Sequence, residues 1–252
     1  MNHDLGGQVA VVTGGNGGIG LGFAEGVARA GAAVAIWARD AAKSDAAVEA
    51  ITSQGGEALA VTCDVADEDS VAAAVSQTVE RLGRIDICVA NAGTNGLGQL
   101  QDLSLGEWRR VVSVNLDGAF LTMRDCSRQM IEQGDGGAMV AISSTSAIHG
   151  APANPHYAAS KTALLGLVRS SAVGLARHGI RVNAVLPGWT RTELAEAGYQ
   201  DDRFRDVTTK RTPVRRWASG KDYRSLAAYL CDRSVDFHTG DSVVFDGGYT
   251  IF

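Results

Sequence analysis

The sequence predicts an α/β fold: one domain built on a parallel sheet, with helices covering both faces. Three observations lead there. Short, continuously apolar runs alternate with longer helix-like segments along the whole chain. Strands buried on both faces and joined by helical crossovers read this way. A glycine cluster, TGGNGGIG at 13–20, sits between the first apolar run and the first helical pattern. No linker rich in Ser, Pro or charge divides the 252 residues, and no short repeat recurs.

The elements follow in order. VAVVT (9–13) is the first strand, and the glycine cluster opens a helix running to about Ala30. AVAIWA (33–38) precedes an alanine-rich helix from about Ala41 to Ser53. ALAVTC (58–63) leads into a helix over 68–82, and IDICVA (85–90) is the fourth strand. The pattern over 107–132 reads as one long helix, followed by the strand AMVAI (138–142). A helix over 155–177 leads to a strand over 181–186. Residues 188–212 are polar and without regular pattern, and a helix over 221–231 precedes the last strand, 242–245.

Composition excludes several classes. Glycine supplies 31 residues and proline only 4, while hydrophobic residues make 45% and charged ones 20%. Such a chain buries a large core and is not disordered. A net charge of −5 gives no electrostatic reason to expect nucleic acid or an anionic membrane as partner. Cys63, Cys88, Cys126 and Cys231 lie far apart, with no CxxC pair and no His/Cys/Asp cluster at metal spacing, so no metal site is expected. They read as buried small hydrophobes. MNHDLGGQ lacks the basic and apolar parts of a signal peptide, and no apolar run is long enough to span a membrane. A cytoplasmic location is the expectation.

The glycine cluster carries chemistry because of its context. A tight strand-to-helix turn needs positive φ, which glycine adopts freely. Missing side chains let backbone N–H groups approach a pyrophosphate at the positive end of the helix. Gly14, Gly18 and Gly20 are spaced GxxxGxG, and no GK[ST] follows, which disfavours a nucleotide triphosphatase.

Further motifs fall in order behind it: Asn91-Ala92-Gly93, Asn115 within SVNL, Ser144, Tyr157-x-x-x-Lys161, Pro187-Gly188 and Asp246-Gly247-Gly248. This set, spread over essentially the whole chain, resembles the short-chain dehydrogenase/reductase family. The resemblance implies a single Rossmann-like, doubly wound domain over residues 1–252 with a seven-stranded parallel sheet. It implies hydride transfer between a nicotinamide cofactor and a small alcohol or carbonyl, and a substrate lid at about 188–212. Matched by position, Ser144, Tyr157, Lys161 and Asn115 form the catalytic tetrad. Gly14, Gly18 and Gly20 match the cofactor turn, Asp64 the acidic position near the adenine, Asn91 the residue beside the cofactor, and Thr192 a cofactor-contacting threonine. The expected contacts extend to Asn16, Ile19, Arg39, Val65, Ala92, Gly93, Pro187, Gly188 and Thr190, and to Tyr157 and Lys161 themselves.

The residue types suit that chemistry. Asn154 and Pro155 suit the N-cap and first position of a helix. Tyr157 and Lys161, four apart, share a helix face. A phenol titrates near 10, so an adjacent ammonium is expected to lower Tyr157 toward a useful acid–base range. Ser144 is expected to hydrogen-bond the reacting oxygen. In the family, Asn115 holds a water in a proton relay through Lys161. His149 and His156 flank the site and read as polar lining or surface turn rather than as acid–base groups.

The second strand ends Trp37-Ala38-Arg39-Asp40. Family members that use NAD usually carry an acid where Ala38 stands, whereas NADP users often carry an arginine where Arg39 stands. NADP is therefore expected in preference to NAD, with Arg39 pairing with the 2′-phosphate. Asp40 fits either NAD recognition or a helix N-cap. The polar 188–212 segment points to a small polar substrate; a 3-oxoacyl-thioester reductase of the same family and a non-catalytic nicotinamide-binding regulator are the competing readings. A weakly polar helix over 155–177 and the apolar end Ile251-Phe252 point to a homotetramer or homodimer.

Overall fold

The structure is a computed structural model that describes residues 3–252. Seven strands, β1 (Val9–Thr13), β2 (Ala33–Ala38), β3 (Ala58–Thr62), β4 (Ile87–Ala90), β5 (Gly137–Ile142), β6 (Ile180–Pro187) and β7 (Ser242–Phe245), form one sheet. Their order is β3-β2-β1-β4-β5-β6-β7, and every pairing is parallel. This is the doubly wound arrangement, with its reversal of strand order between β1 and β4.

Alternation along each strand builds two cores. Val11, Trp37, Cys88, Met139 and Ala141 face one side. There α3 (Glu68–Leu82) supplies Val71, and α5 (Gly118–Gln133) supplies Cys126. On the same side α6 (Pro155–Leu175) supplies Leu164 and Val168. Val12, Ile36, Val89, Val140 and Ile142 face the other side. They meet Phe23 and Val27 of α1 (Gly18–Arg29), Ile51 of α2 (Ala41–Thr52) and Leu230 of α9 (Arg224–Cys231). The buried Trp37 indole N–H donates to Thr78 Oγ1 of α3 at 3.0 Å, so its polar edge is satisfied within the core.

Three expectations need correction. The run over 107–132 is not one helix. It divides into α4 (Leu105–Val112), a π-helical segment over Ser113–Asp117, and α5. The 188–212 stretch is not irregular throughout, for it contains α7 (Glu196–Gln200) and α8 (Asp202–Arg211). Asp201 caps α8 by accepting from the Phe204 N–H at 3.0 Å. The cover for that segment is aromatic: Trp189 stacks on Trp217 at 5.0 Å, with Phe204 and Tyr199 edge-on to it. Finally, Asn154 occupies the N-cap of α6 with Pro155 following, but its side chain makes no cap bond.

α6 buries only one face within the chain. Leu164, Leu165 and Val168 point inward, whereas Thr162, Gly166, Ser170 and Val173 are exposed.

The packing of α1 against the C-terminal region is unusually close. A Cβ on Gly22 would overlap the Gly220 carbonyl, and Arg224 donates to Glu25 at 2.6 Å. Gly22→Ala must push these backbones apart, so it is expected to cost about 1–3 kcal/mol. The midpoint of urea denaturation checks this, and an unchanged midpoint would show that the contact yields freely.

Candidate active site

The site is built where strand order reverses. Thr13 Oγ1, at the end of β1, accepts from the N–H groups of Asn91 and Ala92, both at 2.9 Å. In return the Asn91 amide donates to the carbonyls of Thr13 and Gly14 at 2.8 and 3.2 Å. Gly14 and Gly18 take φ of +60° and +52°, the left-handed region that the turn requires. The turn opens directly into α1, whose first turn carries no acidic residue to oppose an anion.

A groove of about 460 Å³ runs from this turn to Tyr157. Gly14, Asn16, Gly18 and Ile19 line one end. Asn91, Ala92 and Gly93 form the floor, with Tyr157, Lys161 and Thr192 beyond. The Thr192 side chain rests against Gly18. These features fit a dinucleotide: an open backbone turn at a helix N-terminus for its phosphates, and a polar, half-enclosed channel for the rest.

Other expected residues stand behind or beside the groove. Gly20 packs beneath it against Gly14 and Asn91. The Val65 side chain packs against Gly118. Gly188 closes on Asp246, just past Pro187. Thr190 is buried, and its hydroxyl is spent on Tyr223 at 2.7 Å and the Gly188 carbonyl. Thr190 thus braces the segment after β6, and its side chain does not line the groove. Arg39 lies 3.9 Å from Asp64, and both are exposed. The Asp40 carboxylate accepts from the Lys43 N–H at 3.1 Å and caps α2.

Of the four residues expected to form a tetrad, Tyr157 and Lys161 line the groove, and Ser144 and Asn115 stand next to them outside its lining. The π segment turns Asn115 inward, where its amide spans the backbone of Thr94 through bonds of 2.7 and 3.0 Å. Asn115 also reaches Ser160 Oγ at 3.2 Å. An extra residue in a helical turn is a common device at functional sites. Gly93 lies between Asn115 and Lys161, since a Cβ there would stand 3.3 Å from Asn115 Oδ1 and 3.6 Å from Lys161 Nζ. The Lys161 ammonium donates to the Ile142 carbonyl at 2.8 Å and sits 5.7 Å from the Tyr157 ring centre. Ser143 Oγ donates to the Lys161 carbonyl at 2.7 Å, tying β5 to α6.

Electrostatics correct one expectation. The Tyr157 phenol is not lowered. Burial pushes it above its ordinary value, and the hydrogen bond with Ser144 opposes this only in part. Lys161 lies over the ring face, bonded to backbone, and burial lowers it to about 8. Two buried groups each resist their charged form.

Sequence reasoning missed several residues. Lys43, Glu193 and Leu194 also line the groove. His156 is fully buried rather than at a surface turn, 3.6 Å from Glu107. Glu107 pairs with Arg110, which also donates to Thr94 Oγ1 at 3.0 Å and to the Asn95 carbonyl at 2.7 Å. This brace holds the loop that holds Asn115. Lys43 was legible as a first-turn cation after the Asp40 cap; nothing local marks Glu193. Among the described residues, no group of His, Cys, Asp or Glu could hold a metal ion, and no helix is long and apolar enough to cross a membrane.

Comparison with known proteins gives the family. Residues 14–250 match the family described as enoyl-(acyl carrier protein) reductase. The L-rhamnose 1-dehydrogenase (NAD(P)(+)) of Sphingomonas sp. (strain SKA58) is 36% identical, over 97% of this chain and 96% of that one. The gluconate 5-dehydrogenase of Gluconobacter oxydans is 34% identical, over 100% and 99%. Among solved structures, a gluconate 5-dehydrogenase from Burkholderia cenocepacia in complex with NADP and tartrate superposes with TM-score 0.93 at 35% identity, covering 99% of this chain and 97% of that one. The chain belongs to the short-chain dehydrogenase/reductase family. Within that family it is an NAD(P)-dependent oxidoreductase of small alcohols and carbonyls.

The Lys161 shift has a stability consequence. The side chain titrates near 8 folded and near 10.5 unfolded, so between those pH values the unfolded chain holds the extra proton. Stability contributed by this residue therefore rises with pH across that window. The difference between wild type and Lys161→Met in urea denaturation is expected to move in favour of wild type from pH 8 to 10.5. A difference independent of pH would contradict the assignment.

Proposed function

We propose that this enzyme interconverts an alcohol and a ketone or aldehyde on a small polar, polyhydroxylated substrate, using NADP(H) in preference to NAD(H), with Tyr157 as the acid–base group. The observation that supports this reading is that Tyr157 and Lys161 line a groove that begins in a glycine turn, with Ser144 beside Tyr157 and Asn115 across Gly93 from Lys161. The nicotinamide cofactor supplies the hydride acceptor or donor when bound. The glycine turn with Asn16 and Ile19 would hold its phosphates, Asp64 and Val65 would flank the adenine, and Gly93, Pro187 and Thr192 would border the nicotinamide end.

The chain's own residues handle the proton. Ser144 hydrogen-bonds the reacting oxygen beside Tyr157, which fixes geometry and shares developing charge. Tyr157 takes the alcohol proton as its own phenolic proton leaves toward Lys161, which sheds one near pH 8 on the side of Asn115; for a carbonyl the transfers run in reverse, with Tyr157 donating and being reprotonated. Arg39 supports NADP because it is exposed with only a loose partner, and Asp40 is committed to its cap. The polyhydroxylated substrate is supported by the rhamnose and gluconate dehydrogenases among the relatives. Four buried, unpaired cysteines suit a cytoplasmic, reducing location.

Absorbance at the reduced nicotinamide band, with a panel of aldonates, aldoses and polyols, tests the reading. Wild type is expected to turn over at least one of them with a higher kcat/KM for NADP than for NAD. Arg39→Ala should shrink that ratio about 10-fold, the loss of one charge-assisted contact. Tyr157→Phe should lose at least about 100-fold in kcat while still binding cofactor. Full turnover by Tyr157→Phe would remove the tyrosine from the chemistry.

We further propose a homotetramer or homodimer. The small-residue face of α6, with Val173 82% exposed, and the exposed Ile251 and Phe252 support self-association. Light scattering should give a multiple of 26.2 kDa, and a monomeric mass at micromolar concentration would refute it.

A further inference from the structure

At one place the groove is bridged by charge. Lys43 stands in the first turn of α2. Glu193 directly follows Thr192, the residue resting on Gly18. Both line the groove. The Lys43 ammonium donates to both oxygens of the Glu193 carboxylate, at 2.7 and 2.8 Å, across a sequence separation of 150 residues. The pair stays wet, its side chains 49% and 81% exposed. The carboxylate raises the lysine's pKa, so Lys43 is fully charged at neutral pH.

The surrounding charges are otherwise engaged. Asp40 caps α2, Arg39 faces Asp64, and Arg191 faces Glu196 at 3.7 Å. Lys43 therefore answers chiefly to Glu193, and Glu193 to Lys43. A carboxylate beside a channel for phosphates opposes their entry unless a cation quenches it. Here that cation is itself within the channel wall and is long and flexible.

We propose that Lys43 and Glu193 form an anion-exchange strap over the cofactor groove. When a dinucleotide enters, Lys43 leaves Glu193 for a phosphate; when it departs, Glu193 takes the ammonium back. Glu193 thereby weakens the cofactor complex and speeds its release, which favours turnover where release is slow. The pair is exposed, so exchange shifts an equilibrium only a few-fold and leaves the fold intact. The proposal rests on the nicotinamide reading above.

Binding of NADPH to the full-length protein, followed by nucleotide fluorescence at equilibrium and in stopped-flow displacement, tests it. Glu193→Gln is expected to bind NADPH about two- to five-fold more tightly, with release slowed by a similar factor. Lys43→Met is expected to bind about three- to ten-fold more weakly. Both differences should shrink in 0.5 M salt, where exposed charges are screened. Thermal melting of both variants should match wild type. If wild type binds neither NADPH nor NADH, the nicotinamide reading fails and the strap with it. If wild type binds and Glu193→Gln leaves affinity and release unchanged, or weakens binding as Lys43→Met does, the strap alone is overturned.

Discussion

The cross-bonding of Thr13 and Asn91 is the constraint on which the rest of the site depends. Two adjacent parallel strands, β1 and β4, send their connections to opposite faces of the sheet, which leaves a crevice at their ends. Polar backbone exposed in such a crevice needs partners. Thr13 and Asn91 supply them for one another's turns, with four hydrogen bonds between side chain and backbone. The glycine turn is thereby held open, while the Gly14 N–H itself is tied to the Trp37 carbonyl at 2.8 Å. The same four bonds fix where Gly93 lies, and Gly93 sets the space between Asn115 and Lys161. The proposed phosphate cradle and proton path are thus two sides of one junction.

Burial works against charge at the inner end. Burial pushes Tyr157 up and Lys161 down, toward their neutral forms. Tyr157 is thereby held as a neutral phenol, whereas Lys161, titrating near 8, keeps its charge at neutral pH and gives it up just above. At the outer end the charged side chains Lys43, Glu193, Arg39 and Asp64 instead stand in contact with water.

The fold was legible because buried parallel strands read as apolar runs, and all seven lie within two residues of their expected bounds. The groove floor was legible because glycine turns and Asn91 are local features. Other elements hid for physical reasons. The π segment leaves no mark in SVNLD, since the hydrophobic pattern continues through it; only tertiary contact with Thr94 selects it. α8 escaped because its apolar cover comes from Trp189 and Trp217 outside the helix, although Asp201 was a readable cap. Asn154 offered a cap that the structure does not use. The Tyr157 shift was misread in sign because spacing gives proximity of an ammonium but not burial.

The contact between α1 and α9 also has a bearing on how the protein is made. Glu25 and Arg224 are 199 residues apart, and Gly22 rests on Gly220. At ribosomal rates of about 5–20 residues per second, the glycine-turn helix emerges some ten seconds or more before the segment that covers it. Until then its Phe23 and Val27 face lacks the cover that Tyr223, Ala227 and Leu230 supply. Nascent chains of this protein thus spend most of their synthesis with the nucleotide-binding end unfinished, and a chain truncated before residue 220 lacks the cover for a helix near its beginning.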